Sequence, residues 1–235
     1  MTSVDKDNLM RCRLVIVLSG DLIAEVGDKL SGLLSSACGA GDVASIILAQ
    51  NQLEETEFSS AVEPLIQIAQ DHDVAMVLNG EPRIASRLGA DGVQFGPDLD
   101  TLRDAIERLT PKLMVGVGNV RSRHTALVLG EQQPDFIMFG KPGSDIRPEP
   151  HSRNLGLGEW WSSMIEIPAI VMGGTELRSV IDVAKCGVEF VGMGNAIFAP
   201  DESGKEADEA MVASRVQSIN EILDEHAPIF EEPED

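Results

Sequence analysis

The chain has 235 residues, of which 43% are hydrophobic and 24% charged, and its formal net charge at pH 7 is −21. This length suits one α/β barrel or two small domains, and the apolar fraction is sufficient for a full core, which excludes a chain that is disordered throughout. So strong a negative charge should repel nucleic acid and anionic membrane surfaces, and we expect neither as a partner.

Cysteine usage and hydropathy indicate the compartment. No apolar run reaches the length of a membrane-spanning helix, and the first residues do not follow the charged-then-apolar pattern of a secretory signal. Cys12, Cys38 and Cys186 are odd in number and have no metal-binding spacing, so we expect reduced, buried thiols. The sequence therefore predicts a cytoplasmic protein.

Eight short apolar runs recur along the chain. Each is a nearly continuous stretch of aliphatic residues, as in RLVIVL at 13–18, which is typical of parallel strands covered on both faces. The predicted strands are 13–18, 43–49, 74–78, 92–95, 113–117, 136–139, 170–171 and 189–193.

Helical segments alternate with these strands. Ser19 and Asp21 can cap the first, Ser122 can cap the fifth, and Pro82 fits the first turn of the third. The predicted helices run from the Ser19–Asp21 cap to about residue 37, then over 60–71, 82–88, 101–109, 122–129, 157–165, 177–185 and 207–224, with a polar loop at 54–58.

Eight β-α units in this length predict an α/β fold of the (β/α)8 TIM barrel type, in a single domain spanning 12–225. A flexible N-terminus, 1–11, and an acidic disordered tail, 226–235, are expected to flank it. A doubly wound open sheet is the alternative, but its first β-α turn would carry a glycine-rich fingerprint that Ser19–Gly20–Asp21 lacks.

Glycines follow the last two strands. Gly173 and Gly174 end strand 7, and Gly194 and Asn195 end strand 8. In a barrel these loops are the usual place for a phosphate, because glycine lets backbone N–H groups approach an anion closely. These four residues are the predicted phosphate-binding set; the alternative is that the glycines only terminate strands tightly.

Amide side chains follow the middle strands. Asn79, Gln94 and Asn119 stand at the ends of strands 3, 4 and 5, and each offers both a donor and an acceptor. Such groups recognise a planar heterocycle but are neither nucleophiles nor general bases. We predict that they bind substrate.

Two further sites are open to alternative interpretations. Asp98 follows strand 4 and suits a Mg²⁺ ligand, or it caps the helix that begins near Thr101, or both. Lys141 and Arg147 lie in a long Pro/Gly-rich loop from 141 to 153, and they could hold a diphosphate and serve in catalysis or simply be solvated.

Several of these stretches together resemble the thiamine-phosphate synthase family, which includes thiazole tautomerase-like members. The similarity spans residues 13 to about 223 and is most specific in GADGVQFGPD, which is similar to the family's GADGVHLGQxD. The other matching stretches are VLNGEPRIASRL from Val77, GVGNVRSRHT at 116–125, PDFIMFGK at 134–141, VMGG at 171–174 and GVEFVGMGNAIF at 187–198.

The resemblance implies a (β/α)8 barrel, commonly dimeric, so a homodimer is the expected assembly. It implies a transferase of thiamine biosynthesis that joins hydroxymethylpyrimidine diphosphate to thiazole phosphate with Mg²⁺ and releases diphosphate. Asn79 would correspond to the family's asparagine after strand 3, Asp98 to a metal-binding aspartate, and Gly173–Gly174 to the glycine pair at the thiazole phosphate.

The chain departs from the family pattern around the diphosphate. LAQNQLEE at 48–55 replaces a basic Gln-x-Arg-x-Lys run, Gly80 replaces the first metal aspartate, and Gly118 replaces a serine. The Thr-x-Thr-Lys of the sixth loop is absent. The expected function is therefore a divergent thiamine-phosphate synthase; the alternative is a degenerate homologue that binds a phosphorylated small molecule or a protein partner without catalysis.

Overall fold

Eight parallel strands close into a barrel in the order of the chain, with β1 hydrogen-bonded to both β2 and β8. The computed structural model describes residues 11–201 and 203–230. The (β/α)8 barrel predicted from the sequence is confirmed. The strands β1 to β8 are Arg13–Leu18, Val43–Ala49, Ala75–Asn79, Gly92–Phe95, Met114–Val117, Phe136–Phe139, Ala169–Met172 and Phe190–Met193.

Two apolar layers hold the barrel together because side chains alternate along each strand. On β1, Val15 and Val17 belong to a cluster made of strand residues, which fills the barrel interior. Leu14 and Ile16 belong to the larger cluster between the strands and the surrounding helices. Both faces of the strand are thus buried, which is why the sequence shows a continuous apolar run instead of alternation.

Ten α-helices surround the barrel in the described residues. The helices α1 to α10 are Gly20–Val26, Leu30–Ala40, Glu55–Asp71, Pro82–Leu88, Leu99–Leu109, Arg123–Gly130, Ser152–Ser162, Val180–Ala184, Asn195–Phe198 and Glu209–His226, with short 3-10 turns at Gly27–Lys29 and Leu177–Ser179. The helices that follow β3, β4 and β5 agree with the prediction to within two residues at each end.

Three helix predictions were wrong in part, and one further helix was missed. The single helix predicted after β1 is divided into α1 and α2, because Gly27 between them adopts a left-handed φ of 57°. The predicted polar loop 54–58 is the first turn of α3, and α7 begins five residues before its predicted start. The four-residue α9 after β8 was not predicted.

The N- and C-terminal segments meet at the opposite end of the barrel from the strand C-termini. Buried Arg11 donates to Asp224 at 2.7 Å and to Asn220 at 3.2 Å, both on α10, and its backbone forms an isolated bridge with Ile229. Of the predicted flexible N-terminus, residues 1–10 lie outside the described residues, and of the predicted acidic tail, residues 231–235 do. In the described ranges, no helix combines the length and apolarity needed to cross a bilayer.

Candidate functional site

A cavity of about 370 Å³ lies at the C-terminal mouth of the barrel and is lined by residues at or after the ends of β1 to β6. The three predicted amide residues, Asn79, Gln94 and Asn119, all line it, and so does Lys141. Each lies at the mouth because it is placed at or just after the C-terminal end of a parallel strand, and all eight strands end at the same rim. The other lining residues are Asp21, Asn51, Gln52, Phe95, Gly96, Gly118 and Pro142.

Gln94 forms the floor of this cavity and is held on both sides. Its side chain is almost fully buried; Oε1 accepts from Asn79 Nδ2 at 2.8 Å, and Nε2 donates to Met138 Sδ at 3.1 Å. The β3–β4 register pairs Asn79 with Gln94, so the two amides are neighbours across the sheet. The contact fixes the orientation of both amides before any ligand arrives.

Gly118 makes room for Gln94. A Cβ built at Gly118 would lie 2.9 Å from both Cδ and Nε2 of Gln94. The departure of this position from the family's serine is therefore explained by the Gln94 side chain, which occupies the space.

Asn119 connects the cavity to a cation that the sequence analysis did not select. Its backbone has a left-handed φ of 58°, and its N–H donates to Gly140 O at 2.8 Å. Its Oδ1 accepts from Arg121 Nε at 3.0 Å, which brings an exposed guanidinium to the rim. The sequence predictions select only cations of the sixth loop, although the position of Arg121 a few residues after strand 5 also indicates a place near the mouth.

The two predicted catalytic cations lie in different places. Lys141 is exposed and lines the cavity, where its backbone forms a turn closed by Ser144 N donating to Lys141 O at 3.1 Å. Arg147 is exposed but is not among the lining residues. Its backbone turns towards β7, where its carbonyl accepts from Thr175 N at 2.7 Å.

Asp98 caps α5. Its Oδ1 accepts from the backbone N–H of Thr101 at 2.9 Å, and hydrogen bonds from the Thr101 side chain and backbone lower the pKa of the Asp98 carboxyl, so it stays ionised. No group of three or more His, Cys, Asp or Glu is arranged to hold a metal in the part of the chain that the structure describes. Asp98 is not among the residues that line the cavity. A Mg²⁺ ion bound to its carboxylate would need its other oxygen ligands from water and substrate phosphates.

The β6–α7 loop, residues 140–151, covers the glycine pair after β7. Gly173 N donates to Gly192 O within the barrel, and Gly174 N donates to Ser179 Oγ at 2.9 Å. A Cβ built at Gly174 would lie 2.0 Å from Pro148 O, so only glycine lets the loop backbone approach so closely.

The glycine and asparagine after β8 are engaged by Asp145 of the same loop. Gly194 N and Asn195 N both donate to Asp145 Oδ2, at 3.1 and 2.6 Å, and Asn195 Nδ2 donates to the Asp145 carbonyl at 2.9 Å. Asp145 is only 3% exposed, and this burial raises the pKa of its carboxyl. Asp145 was not predicted, because no sequence pattern shows that the loop would fold back onto β8.

The sequence is similar to known proteins of one family. A family model described as thiamine monophosphate synthase matches residues 14–197. A thiamine-phosphate synthase of Erythrobacter litoralis is 32% identical over 167 residues, covering 70% of this chain and 78% of that protein. A thiamine-phosphate synthase of Rhodospirillum centenum is 31% identical over 166 residues, covering 70% of this chain and 80% of that protein.

The fold is also found in a solved structure. The structure of thiamine phosphate pyrophosphorylase from Pyrococcus furiosus superposes with a TM-score of 0.71, covering 93% of this chain and 98% of that chain at 21% identity. At that identity the superposition supports the fold alone.

Proposed function

The chain belongs to the thiamine monophosphate synthase family, and on this premise we propose that it couples hydroxymethylpyrimidine diphosphate to thiazole phosphate in thiamine biosynthesis. In this transfer the bond between the pyrimidine methylene carbon and the diphosphate oxygen breaks, and a bond from that carbon to the thiazole nitrogen forms. Diphosphate leaves with the bonding electrons, so the reaction needs recognition of a heterocycle and stabilisation of growing negative charge.

The observation that carries this proposal is the amide-lined cavity with a lysine on its rim. Asn79 is only partly buried and already oriented by Gln94, so it can present its amide to the pyrimidine ring without reorganisation. Asn119, which also lines the cavity, would bind substrate as well.

Charge on the leaving diphosphate would be met first by Lys141, which lines the cavity, and by Arg121, which Asn119 holds nearby. Arg147 is the second candidate, because only its loop backbone approaches the site. Mg²⁺, when bound, would supply additional positive charge, and Asp98 is the residue proposed to hold it. The thiazole phosphate would lie at the ends of β7 and β8. The N–H groups of Gly173, Gly174, Gly194 and Asn195 donate to Gly192 O, Ser179 Oγ and Asp145 Oδ2 in this structure, so binding there requires some of these hydrogen bonds to break.

We further propose a cytoplasmic homodimer that binds phosphorylated small molecules. The odd number of cysteines, two of them buried, supports a reducing compartment. The dimer is an expectation from the family, and light scattering of the purified protein at micromolar concentration would test it.

The proposed reaction is tested by incubating the protein with both substrates and Mg²⁺ and quantifying thiamine phosphate. We expect product, and we expect Lys141→Ala to lower kcat/KM by about 10²-fold, the usual cost of removing one charge-stabilising group. Lys112→Ala is the matched control, because Lys112 is exposed just before β5, at the other end of the barrel, and should leave the rate unchanged.

The alternative of a homologue without catalysis is not favoured by relatives above 30% identity that are thiamine-phosphate synthases. It makes a distinct prediction, since a degenerate protein would form no product even at high enzyme concentration. Equal loss of rate in Lys141→Ala and Lys112→Ala would contradict the role of Lys141 while leaving the synthase function intact.

A further inference from the structure

Asp21 is the only carboxylate among the described residues that line the cavity at the barrel mouth. It is exposed, and its carboxylate forms no hydrogen bond or ion pair with any other residue in 11–201 or 203–230. Two other acidic side chains near the strand ends are already engaged, since Asp98 caps α5 and Asp145 accepts from backbone N–H groups after β8. Asp21 is therefore available to a ligand.

The backbone fixes Asp21 at the cavity wall. Asp21 lies in the first turn of α1, which Ser19 caps. On one side, a Cβ built at Gly20 would collide with Gln50 O, just after β2. On the other side, the β6–α7 loop packs so closely that a Cβ built at Gly143 would lie 3.0 Å from Ser19 Cβ. The turn that carries Asp21 is thus held between two neighbouring loops.

The rest of the lining suits a heterocyclic ring better than a metal ion. Five of its side chains are uncharged carboxamides, and half-buried Phe95 adds an aromatic ring. Aromatic rings attract cations, and carboxamides donate to and accept from ring nitrogens and amino groups. A metal ion would find a single carboxylate in this lining. The five carboxamides belong to Asn51, Gln52, Asn79, Gln94 and Asn119.

The proposed transfer places positive charge on the two rings. Diphosphate leaves with the bonding electrons, so the pyrimidine methylene carbon becomes electron-poor. The thiazole nitrogen then gives its lone pair to this carbon and becomes a quaternary, positively charged nitrogen. A carboxylate beside the rings stabilises this charge, whereas the same carboxylate would only repel the diphosphate.

The cavity carries one charge of each sign, and the two are not paired with each other. Lys141 is the cation of the lining, and no ion pair joins it to Asp21 in the part of the chain that the structure describes. Two unpaired opposite charges match a substrate that separates into an electron-poor ring and an anionic diphosphate. Lys141 is assigned to the diphosphate, which leaves Asp21 for the rings.

We propose that Asp21 is the counter-ion of a positively charged heterocycle in this cavity, and that its carboxylate makes the cavity select a cationic ring over a neutral ring of the same shape. Asp21 is thus a specificity-determining residue at the β1–α1 turn. This inference deepens the proposed function and rests on it for the identity of the ring.

The test compares two ligands of the same shape by isothermal titration calorimetry in EDTA at neutral pH. One is thiamine phosphate, whose thiazolium ring is cationic, and the other is its analogue with an uncharged thiophene ring. We expect the parent chain to prefer the cationic ligand. Asp21→Asn should reduce this preference at least about fivefold, the effect of one charge pair about 4 Å apart even at the dielectric constant of water. Asp21→Glu keeps the charge and should retain the preference.

Glu25→Gln is the matched control. Glu25 is exposed on the same helix and does not line the cavity, so its substitution removes one negative charge from the chain without changing the site. The preference of this variant for the cationic ligand should equal that of the parent. A loss of the same size as in Asp21→Asn would show that net charge, and not a contact with Asp21, determines the selection, and would overturn the proposal.

Three further results would also overturn it. The first is an equal change in affinity for both ligands in Asp21→Asn, and the second is failure of the parent to bind thiamine phosphate. The third is a preference that appears only when Mg²⁺ replaces EDTA, which would make Asp21 a metal ligand. The titration requires no turnover. Product formation with an unchanged preference in Asp21→Asn would therefore refute this inference alone, and charge-dependent binding without product would refute the proposed reaction alone.

Discussion

At the barrel mouth, the Gln94 side chain restricts position 118 to a residue without a side chain. The Gln94 carboxamide is fixed by Asn79 and Met138, and it fills the volume beside the Gly118 backbone. A side chain at position 118 would have to move a buried group that has two partners. The two positions therefore act as a pair, and a change at one should depend on the other.

We expect Gly118→Ser to destabilise the fold by roughly 1–3 kcal/mol, the usual cost of overpacking a filled site. Urea unfolding would measure the difference. Gly96→Ser is the matched control, because Gly96 also lines the cavity but a Cβ built there meets no atom within 4 Å. The double variant Gly118→Ser with Gln94→Ala should recover part of the loss; strictly additive effects would contradict the packing argument.

The sequence was sufficient to predict the position of residues that lie at or just after the end of a strand. Asn79, Gln94, Asn119 and Lys141 were all placed at the mouth correctly, because the C-terminal ends of parallel strands meet there. Asp145 was missed, because its position depends on how a twelve-residue loop, 140–151, folds across β7 and β8. The functional roles of Asn79, Gln94, Asn119 and Lys141 remain predictions.

At the scale of whole elements, α7 lies close to β7 because one glycine permits it. A Cβ built at Gly158 would lie 2.6 Å from Val171 Cγ2 and 3.1 Å from Val188 Cγ1. Gly156 on the same helix is exposed, and a Cβ there would meet no atom within 4 Å. The two glycines share a helix and differ only in what faces them.

Alanine at these two positions should therefore have opposite effects on the free energy of unfolding. Gly156→Ala should stabilise the protein by about 0.5–1 kcal/mol through helix propensity. Gly158→Ala has the same propensity gain but forces α7 off the sheet, and we expect a net loss of roughly 1 kcal/mol from overpacking. Urea unfolding of the two variants side by side measures the difference, and stabilisation by both would show that α7 can shift freely.

The strands were easier to predict than the helices for a physical reason. A strand buried on both faces requires a continuous apolar run, and all eight runs were found within about two residues. Helix limits depend on local backbone geometry and on tertiary contacts. The left-handed Gly27 that separates α1 from α2, and the start of α3 within the acidic segment at 54–58, leave no clear mark in the hydrophobic pattern.

At the scale of the whole molecule, a net charge of −21 surrounds a site proposed to bind multiply charged anions. The cations identified near the cavity are Lys141 and Arg121, and these two positive charges are small in number beside the net negative charge of the chain. Long-range repulsion should therefore slow the approach of a diphosphate substrate, while the local cations act only once it has arrived. The repulsion acts over a longer range than the attraction by the local cations, so the dependence of the rate on salt concentration distinguishes the two effects.

Raising the ionic strength should increase kcat/KM for the pyrimidine diphosphate. The screening length falls from about 30 Å at 0.01 M to about 10 Å at 0.1 M, which removes the repulsion of distant carboxylates before it weakens contacts within the cavity. We expect a rise of several-fold over that range at constant free Mg²⁺, then a decline near 1 M as the short-range contacts are screened. Sucrose in place of salt is the control for effects on stability, and a decrease in kcat/KM from the lowest salt onwards would show that the local field of Lys141 and Arg121 governs substrate approach instead.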